Sequence, residues 1–193
     1  MMMTIVFGGS FNPPTLAHKK IVDQLRSIYP DALILLLPVG DDYQKPELIA
    51  FKHRFEMLNI MFKHDKHVNI LDIESKKQYK GTLDTLKILS KTYDDIHFVI
   101  GSDHLDQLPT WINYKELLAT YPFIVMNRNL GISIQKAEEM FKDLKHHFDY
   151  IDFEQDISSS MIRNNIHQYQ SFLTKEVFEY IIENQLYKEP THV

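Results

Sequence analysis

Residues 3–29 read MTIVFGGSFNPPTLAHKKIVDQLRSIY, and this stretch decides the fold of the 193-residue chain. Its first five residues are an apolar run typical of a buried strand. From residue 19 to residue 29 apolar side chains recur at helical spacing. A strand, a glycine turn and a helix start in that order predict the first βα unit of an α/β protein, with a turn suited to binding phosphate.

The turn itself supplies the phosphate-binding groups. Gly8 and Gly9 let the backbone approach an anion closely, and the N–H groups around Gly9, Ser10 and Phe11 are predicted to cradle it. The turn is neither a dinucleotide fingerprint nor a Walker loop, since G-x-G-x-x-G and Gly-Lys-Ser/Thr are both absent.

Two polar residues follow at the helix start. Thr15 and His18 are three positions apart, so they share one face of the first turn and are predicted to point into the same pocket.

A second anion-binding segment lies far downstream, at residues 157–163, which read ISSSMIR. Ser158 and Ser159 fall where a helix begins, so hydroxyl and free N–H groups converge there. Arg163 adds a planar, permanently charged donor.

Composition limits the partners. The net charge of −5 gives no sign of a basic stripe, which argues against a nucleic-acid polymer as ligand. The chain has no cysteine, so disulfides and thiolate chemistry are excluded. The longest apolar run, 32–39, is too short to cross a bilayer, and no secretory segment is visible. We expect a cytoplasmic protein without membrane contacts; a homo-oligomer stays open.

Strand and helix patterns alternate along the whole chain. This alternation predicts one α/β, Rossmann-like domain over residues 1–193, with a mostly parallel sheet and helices on both faces. Ligands of such sheets bind at the carboxyl ends of strands. Gly101 and Asp103 follow the predicted fourth strand, and the Asp103 carboxylate suits a ribose diol; it could equally cap the next helix.

The two terminal motifs carry a family resemblance. Residues 8–18 resemble the Gly-Gly-x-Phe-(Asp/Asn)-Pro-x-(His/Thr)-x-x-His signature of the nucleotidyltransferase superfamily of α/β phosphodiesterases, and residues 157–163 resemble its Ile-Ser-Ser-(Thr/Ser)-x-(Ile/Val)-Arg. Residues 101–111 and 82–86, and the chain end at 180–187, look like segments of bacterial nicotinate-nucleotide adenylyltransferases.

That resemblance implies adenylyl transfer from ATP to a pyridine mononucleotide, with Mg²⁺ carried by the phosphates rather than by a protein cage and no metal site on the protein. It implies catalytic roles for His18, Lys45 and Arg163 and acceptor-binding roles for Thr85, Trp111 and Lys45. The ATP-binding set it implies is Gly8, Gly9, Ser10, Phe11, Thr15, His18, Gly101, Asp103, Ile157, Ser158, Ser159 and Arg163.

Two departures from the family pattern keep alternatives open. The loop that carries Lys45 lacks the preceding His of Pro-His-Lys, and Thr15 replaces the usual His, as it does in phosphopantetheine adenylyltransferases. The acceptor could therefore be nicotinate mononucleotide, its amide or phosphopantetheine, or CTP could react with an alcohol phosphate. A nucleotide-binding regulator without catalysis is the remaining alternative.

Overall fold

One parallel sheet organises the computed structural model, which describes residues 2–43, 45–76, 78–128, 131–154 and 158–188. Within these ranges all six strands belong to that sheet, every neighbouring pair runs parallel, and the spatial order is 3-2-1-4-5-6. The strands are β1 (Thr4–Gly9), β2 (Leu33–Pro38), β3 (Val68–Ile70), β4 (Ile96–Gly101), β5 (Phe123–Asn127) and β6 (Phe148–Asp152).

Seven α-helices occur in the same described ranges, together with three short 3₁₀ segments at 73–75, 102–110 and 170–172. None of these helices is both long and apolar enough to span a lipid bilayer. The α-helices are α1 (Leu16–Ile28), α2 (Phe51–Phe62), α3 (Thr82–Leu89), α4 (Tyr114–Thr120), α5 (Ile134–Phe141), α6 (Ser159–Asn164) and α7 (Lys175–Glu183).

Helices cover both faces of the sheet, because alternate strand residues point to opposite sides. Val6 packs in a core with α3, α4 and α5, whereas its neighbour Ile5 packs in a second core with α1 and α2. A third cluster joins α2 to α6 and α7 through residues that include Met57, Ile162 and Ile181. The predicted α/β, Rossmann-like fold with two covered sheet faces is confirmed.

The strand order places a crevice between β1 and β4. The order in which successive strands are added to the sheet reverses there, since β2 and β3 lie on one side and β5 and β6 on the other. Ligands of open parallel sheets bind at such a switch point, outside the carboxyl ends of the strands. Gly9 and Gly101, the last residues of β1 and β4, therefore mark the position of the site.

The structure corrects several predicted element boundaries. The weak alternation of residues 68–73 predicts a strand over all six residues, but β3 ends at Ile70, which forms its last pair with Leu36 of β2. Gly8 and Gly9 belong to β1 rather than following it, because they pair with the last two residues of β2. The helical pattern of residues 133–147 predicts an inward Met140, but its side chain is exposed, since the buried face of α5 is formed by Ala137 and Phe141.

Gly40, just after β2, is required by the close approach of a neighbouring segment. An added Cβ would lie 2.2 Å from the backbone oxygen of Glu74, which cannot move aside like a flexible side chain. We expect Gly40→Ala to lower the free energy of unfolding by about 2 kcal/mol. Urea denaturation measures this change, with Gly8→Ala as the control because its Cβ would meet no atom nearer than the Phe98 ring at 3.6 Å. Equal stability of the two variants would contradict the prediction.

Candidate active site

A cleft of about 700 Å³ opens at the switch point. Its walls come from both ends of the chain and from the segments that follow β1, β2 and β4. Of the residues predicted to act in the site, those that line the cleft are Gly8, Gly9, Ser10, Phe11, Thr15, His18, Lys45, Thr85, Gly101, Trp111, Ser158, Ser159 and Arg163. Ile157 lies outside the described residues.

The glycine turn is fixed from beneath by a buried arginine. Arg54 of α2 has no exposed surface, and its Nη1 donates to the backbone oxygen of Ser10 at 3.1 Å. Its Nε donates to the backbone oxygen of Ile49 at 2.8 Å, and its Nη2 contacts the Asp41 carboxylate at 3.2 Å. Phe11 adopts a left-handed backbone (φ 46°), and its side chain is buried.

Thr15 and His18 occupy the N-cap and N3 positions of α1. The Thr15 N–H donates to His18 Nδ1 at 2.9 Å, and the Thr15 hydroxyl lies 3.0 Å from the same nitrogen. An acceptor Nδ1 places the proton of the neutral ring on Nε2. His18 therefore offers one defined N–H donor to the cleft, and Thr15 serves to orient it.

Burial, and to a smaller extent the positive charge of Arg128, lower the pKa of His18 to about 3. At neutral pH the imidazole is consequently uncharged. Its Nε2–H can donate a hydrogen bond to an oxyanion. The ring is not an imidazolium, however, so it cannot act as a general acid.

The same shift predicts a pH-dependent stability. The unfolded chain binds a proton at His18 near pH 6.5 and the folded chain only near pH 3, so the unfolded state binds more protons between these values. The contribution of the neutral ring is complete above pH 6.5 and is lost as the pH falls toward 3. From pH 7 to pH 5 the wild type should lose about 2 kcal/mol more than His18→Asn, measured by urea denaturation at each pH. Parallel losses in the two proteins would refute the assigned cause.

The C-terminal motif reaches the glycine turn directly. Ser158 caps α6 by accepting from the Met161 N–H, as predicted for a helix start. The Ser159 hydroxyl donates to the backbone oxygen of Pro13 at 3.0 Å, and Arg163 Nη1 donates to that of Asn12 at 2.8 Å. Two segments about 150 positions apart in sequence thus form one wall of the cleft.

The loop after β2 adds a second cation and a carboxylate. Lys45 Nζ donates to the Ser10 hydroxyl at 3.0 Å, which brings the lysine to the glycine turn although its predicted motif is incomplete. Burial, and then the neighbouring Arg163 charge, lower the pKa of Lys45. Glu47 Oε2 lies 3.2 Å from Arg163 Nη2, so an exposed carboxylate partly balances the two cations.

Asp103 lies behind the wall rather than on it. Its Oδ1 is 3.6 Å from Nη1 of Arg128, a residue that lines the cleft directly after β5. Gly101 permits this arrangement, because a Cβ there would meet Asp103 Oδ1 at 2.3 Å and the Arg128 guanidinium carbon at 3.2 Å. Within the described residues Asp103 is thus placed to hold Arg128, and the ribose contact predicted for it stays a prediction.

The opposite end of the cleft is more apolar. The Trp111 ring packs against Phe98 in an edge-to-face arrangement with ring centroids 6.3 Å apart, leaving part of the indole on the cleft wall. Thr85 is buried, and its hydroxyl donates to the equally buried carboxylate of Glu74. A flat aromatic face beside fixed polar groups suits a small heteroaromatic ring.

Sequence reasoning missed the placement of three charged residues: Arg54, Glu74 and Arg128. No short motif surrounds Arg128, which reaches the cleft only because β5 lies beside β4 in the sheet. The polar Glu74 and Arg54 sit in stretches of ordinary composition, so only the packing of α2 and α3 reveals that they are buried.

Comparison with known proteins shows the class of protein to which this chain belongs. The model of the cytidylyltransferase-like family matches residues 6–165, which contain both terminal motifs. A probable nicotinate-nucleotide adenylyltransferase from Acholeplasma laidlawii is 40% identical over 97% of this chain and 98% of its own length. Another, from Caldicellulosiruptor bescii, is 31% identical over 97% of this chain and its full length.

The solved structures agree on the fold. Plasmodium falciparum nicotinic acid mononucleotide adenylyltransferase complexed with NaAD superposes with a TM-score of 0.80 at 22% identity, covering 97% of this chain and 98% of that one. The chain belongs to the nicotinate-nucleotide adenylyltransferase family and is a nucleotidyltransferase.

Proposed function

We propose that this enzyme joins ATP and nicotinate mononucleotide to give deamido-NAD and pyrophosphate. The observation that carries the proposal is that His18, Lys45 and Arg163 share one cleft with Thr85 and Trp111. Relatives at 40% and 31% identity over nearly the full chain bear the name of this activity.

The cationic end of the cleft would bind the triphosphate. Backbone N–H groups of the glycine turn and the Lys45 and Arg163 side chains surround a space bounded by Ser10. Arg163 Nη1 is held by the Asn12 oxygen, so the guanidinium is already oriented before a nucleotide arrives. Its Nη2 would exchange the Glu47 carboxylate for a phosphate oxygen.

Chemistry then requires positioning and charge stabilisation rather than a protein nucleophile. A phosphate oxygen of the mononucleotide attacks the α-phosphorus of ATP, and the bond from that phosphorus to pyrophosphate breaks. The Nε2–H of neutral His18 would donate to an α-phosphate oxygen as negative charge develops there. Lys45 and Arg163 would hold the departing pyrophosphate.

Magnesium enters this proposal as part of the nucleotide substrate. In the described ranges no three His, Asp or Glu side chains converge into a site that could hold a metal ion. Phosphate oxygens and water would supply its ligands, as is usual for Mg²⁺ with nucleotides.

The aromatic end would bind the pyridine ring of the acceptor. Trp111 offers a flat face, and the Thr85 hydroxyl is oriented by Glu74. Phosphopantetheine, which has a flexible chain in place of a ring, would gain nothing from stacking on Trp111.

A pyrophosphate-release assay tests the assignment. ATP and Mg²⁺ are supplied with nicotinate mononucleotide, nicotinamide mononucleotide or phosphopantetheine, and kcat/KM is compared. We expect the highest value with nicotinate mononucleotide, and Trp111→Ala should raise the KM for this acceptor while leaving that for ATP unchanged. A higher kcat/KM with another acceptor would show that nicotinate mononucleotide is not the preferred acceptor. Binding of ATP without pyrophosphate release from any acceptor would identify a regulator instead.

A further inference from the structure

The C-terminal end of the described chain reaches the glycine turn through a single hydroxyl group. Tyr187 Oη donates to the side-chain oxygen of Asn12 at 2.7 Å, across 175 positions of sequence. Tyr187 does not line the cleft, whereas Asn12 does, so any effect of the tyrosine on the nucleotide acts through Asn12.

Asn12 is the centre of a buried polar network. Its side chain is 1% exposed, and a buried amide must be fully hydrogen-bonded to be tolerated. Its Nδ2 donates to the Glu47 backbone oxygen at 2.9 Å, and its Oδ1 also accepts from the Ile49 N–H at a longer 3.4 Å. The bond from Tyr187 is therefore the short one that Oδ1 receives.

This network connects the parts of the cleft that carry positive charge. The backbone oxygen of Asn12 accepts from Arg163, and the Asn12 side chain holds the loop that carries Lys45 through Glu47 and Ile49. Displacement of the Asn12 amide would consequently move the glycine turn, the Arg163 guanidinium and the Lys45 loop together.

The backbone conformation after α7 places the Tyr187 hydroxyl next to Asn12. Helix α7 ends in a Schellman motif, in which the Leu186 N–H bonds the Ile181 oxygen and the Gln185 N–H bonds the Ile182 oxygen. Gln185 and Tyr187 both have positive φ, 52° and 53°, conformations that non-glycine residues adopt rarely. The two left-handed residues turn the chain back toward Asn12.

The environment also keeps the phenol a donor. Burial raises the pKa of Tyr187, even though the charges of Arg163 and Arg54 act in the opposite direction. The hydroxyl is therefore protonated at neutral pH and can donate to Asn12.

We propose that Tyr187 is a positioning residue for nucleotide binding. It acts through Asn12 to fix the relative positions of the glycine turn, Arg163 and the Lys45 loop. The proposal deepens the function proposed above and rests on it for the identity of the substrates. It does not require Tyr187 to touch the nucleotide.

Tyr187→Phe tests the proposal, because it removes the hydroxyl and keeps the ring in its packing site. Tyr180→Phe is the matched control: it lies on α7, its hydroxyl bonds His53 Nδ1 at 2.9 Å, and it does not reach the cleft. We expect Tyr187→Phe to raise the KM and the calorimetric Kd for ATP roughly fivefold, with a smaller change in kcat, whereas Tyr180→Phe keeps both near the wild-type values. Thermal unfolding should shift to a similar extent in both variants.

A cycle with Asn12→Ala separates positioning from general destabilisation. If Tyr187 acts through Asn12, adding Tyr187→Phe to Asn12→Ala should produce no further loss of ATP affinity. Additive losses, or unchanged ATP affinity in Tyr187→Phe, would overturn the proposal. The binding measurement uses ATP alone, so a weakened Kd in Tyr187→Phe supports the positioning role even if nicotinate mononucleotide proves not to be the acceptor.

Discussion

His18→Ala is expected to reduce kcat by about 10²- to 10³-fold, the largest catalytic effect of any single substitution considered for this enzyme. The reason is the loss of the Nε2–H donor, which Thr15 orients and which is uncharged at neutral pH. A donor that acts mainly as charge develops should lower kcat and kcat/KM alike and leave ATP affinity nearly unchanged. Steady-state pyrophosphate release, with calorimetric ATP binding alongside, measures both quantities.

His64→Ala provides the control, since His64 is exposed just beyond α2 and does not line the cleft. His18→Asn should recover part of the lost rate, because its amide can donate a hydrogen bond from a similar position. Turnover in His18→Ala close to that of the wild type would exclude His18 from the chemical step.

Arg54→Met is expected to lower the free energy of unfolding by about 3–4 kcal/mol. Two backbone oxygens, of Ser10 and Ile49, lose their donors, and each buried unsatisfied group costs about 1–3 kcal/mol. The lost ion pair adds little, because the Asp41 side chain is 60% exposed and stays hydrated. For a chain of this size the melting temperature should fall by roughly 6–16 °C.

Thermal unfolding of Arg54→Met beside Arg26→Met isolates this effect. Arg26 is partly exposed on α1, bonds one backbone oxygen and forms only a 4.0 Å contact with Asp65. Its replacement should change stability by less than about 1 kcal/mol. Similar melting temperatures in the two variants would show that the Arg54 guanidinium contributes no more to stability than that of Arg26.

The terminal motifs could be read from the sequence because their geometry is local. Gly8 to His18 contain a strand end, a turn and a helix N-terminus, each of which depends on neighbours in the chain, and the Ser158 cap depends on residues three positions away. Lys45 lies beside Ser10, although its loop lacks the His of the Pro-His-Lys pattern.

Other parts of the site depend on contacts between distant elements. Arg128 and Glu74 are brought to the cleft by sheet order and helix packing, for which their own neighbours give no signal. The 3₁₀ segment at 102–110 escaped prediction for a different reason. Its buried Leu105 and Leu108 are three residues apart, a spacing that suits both a 3₁₀ and an α-helix and so does not distinguish the two. That segment turns Asp103 behind Arg128, so the ribose contact could not be judged from sequence position alone.

The bond between Arg163 and Asn12 has a consequence for synthesis on the ribosome. A nascent chain that has released the first βα unit still lacks the Arg163 guanidinium, which completes the proposed phosphate-binding site. ATP in the cell would therefore find no high-affinity partner until nearly the whole domain has emerged and folded. The proposed nucleotide binding would stabilise the finished enzyme by mass action, but it would not template the early steps of folding.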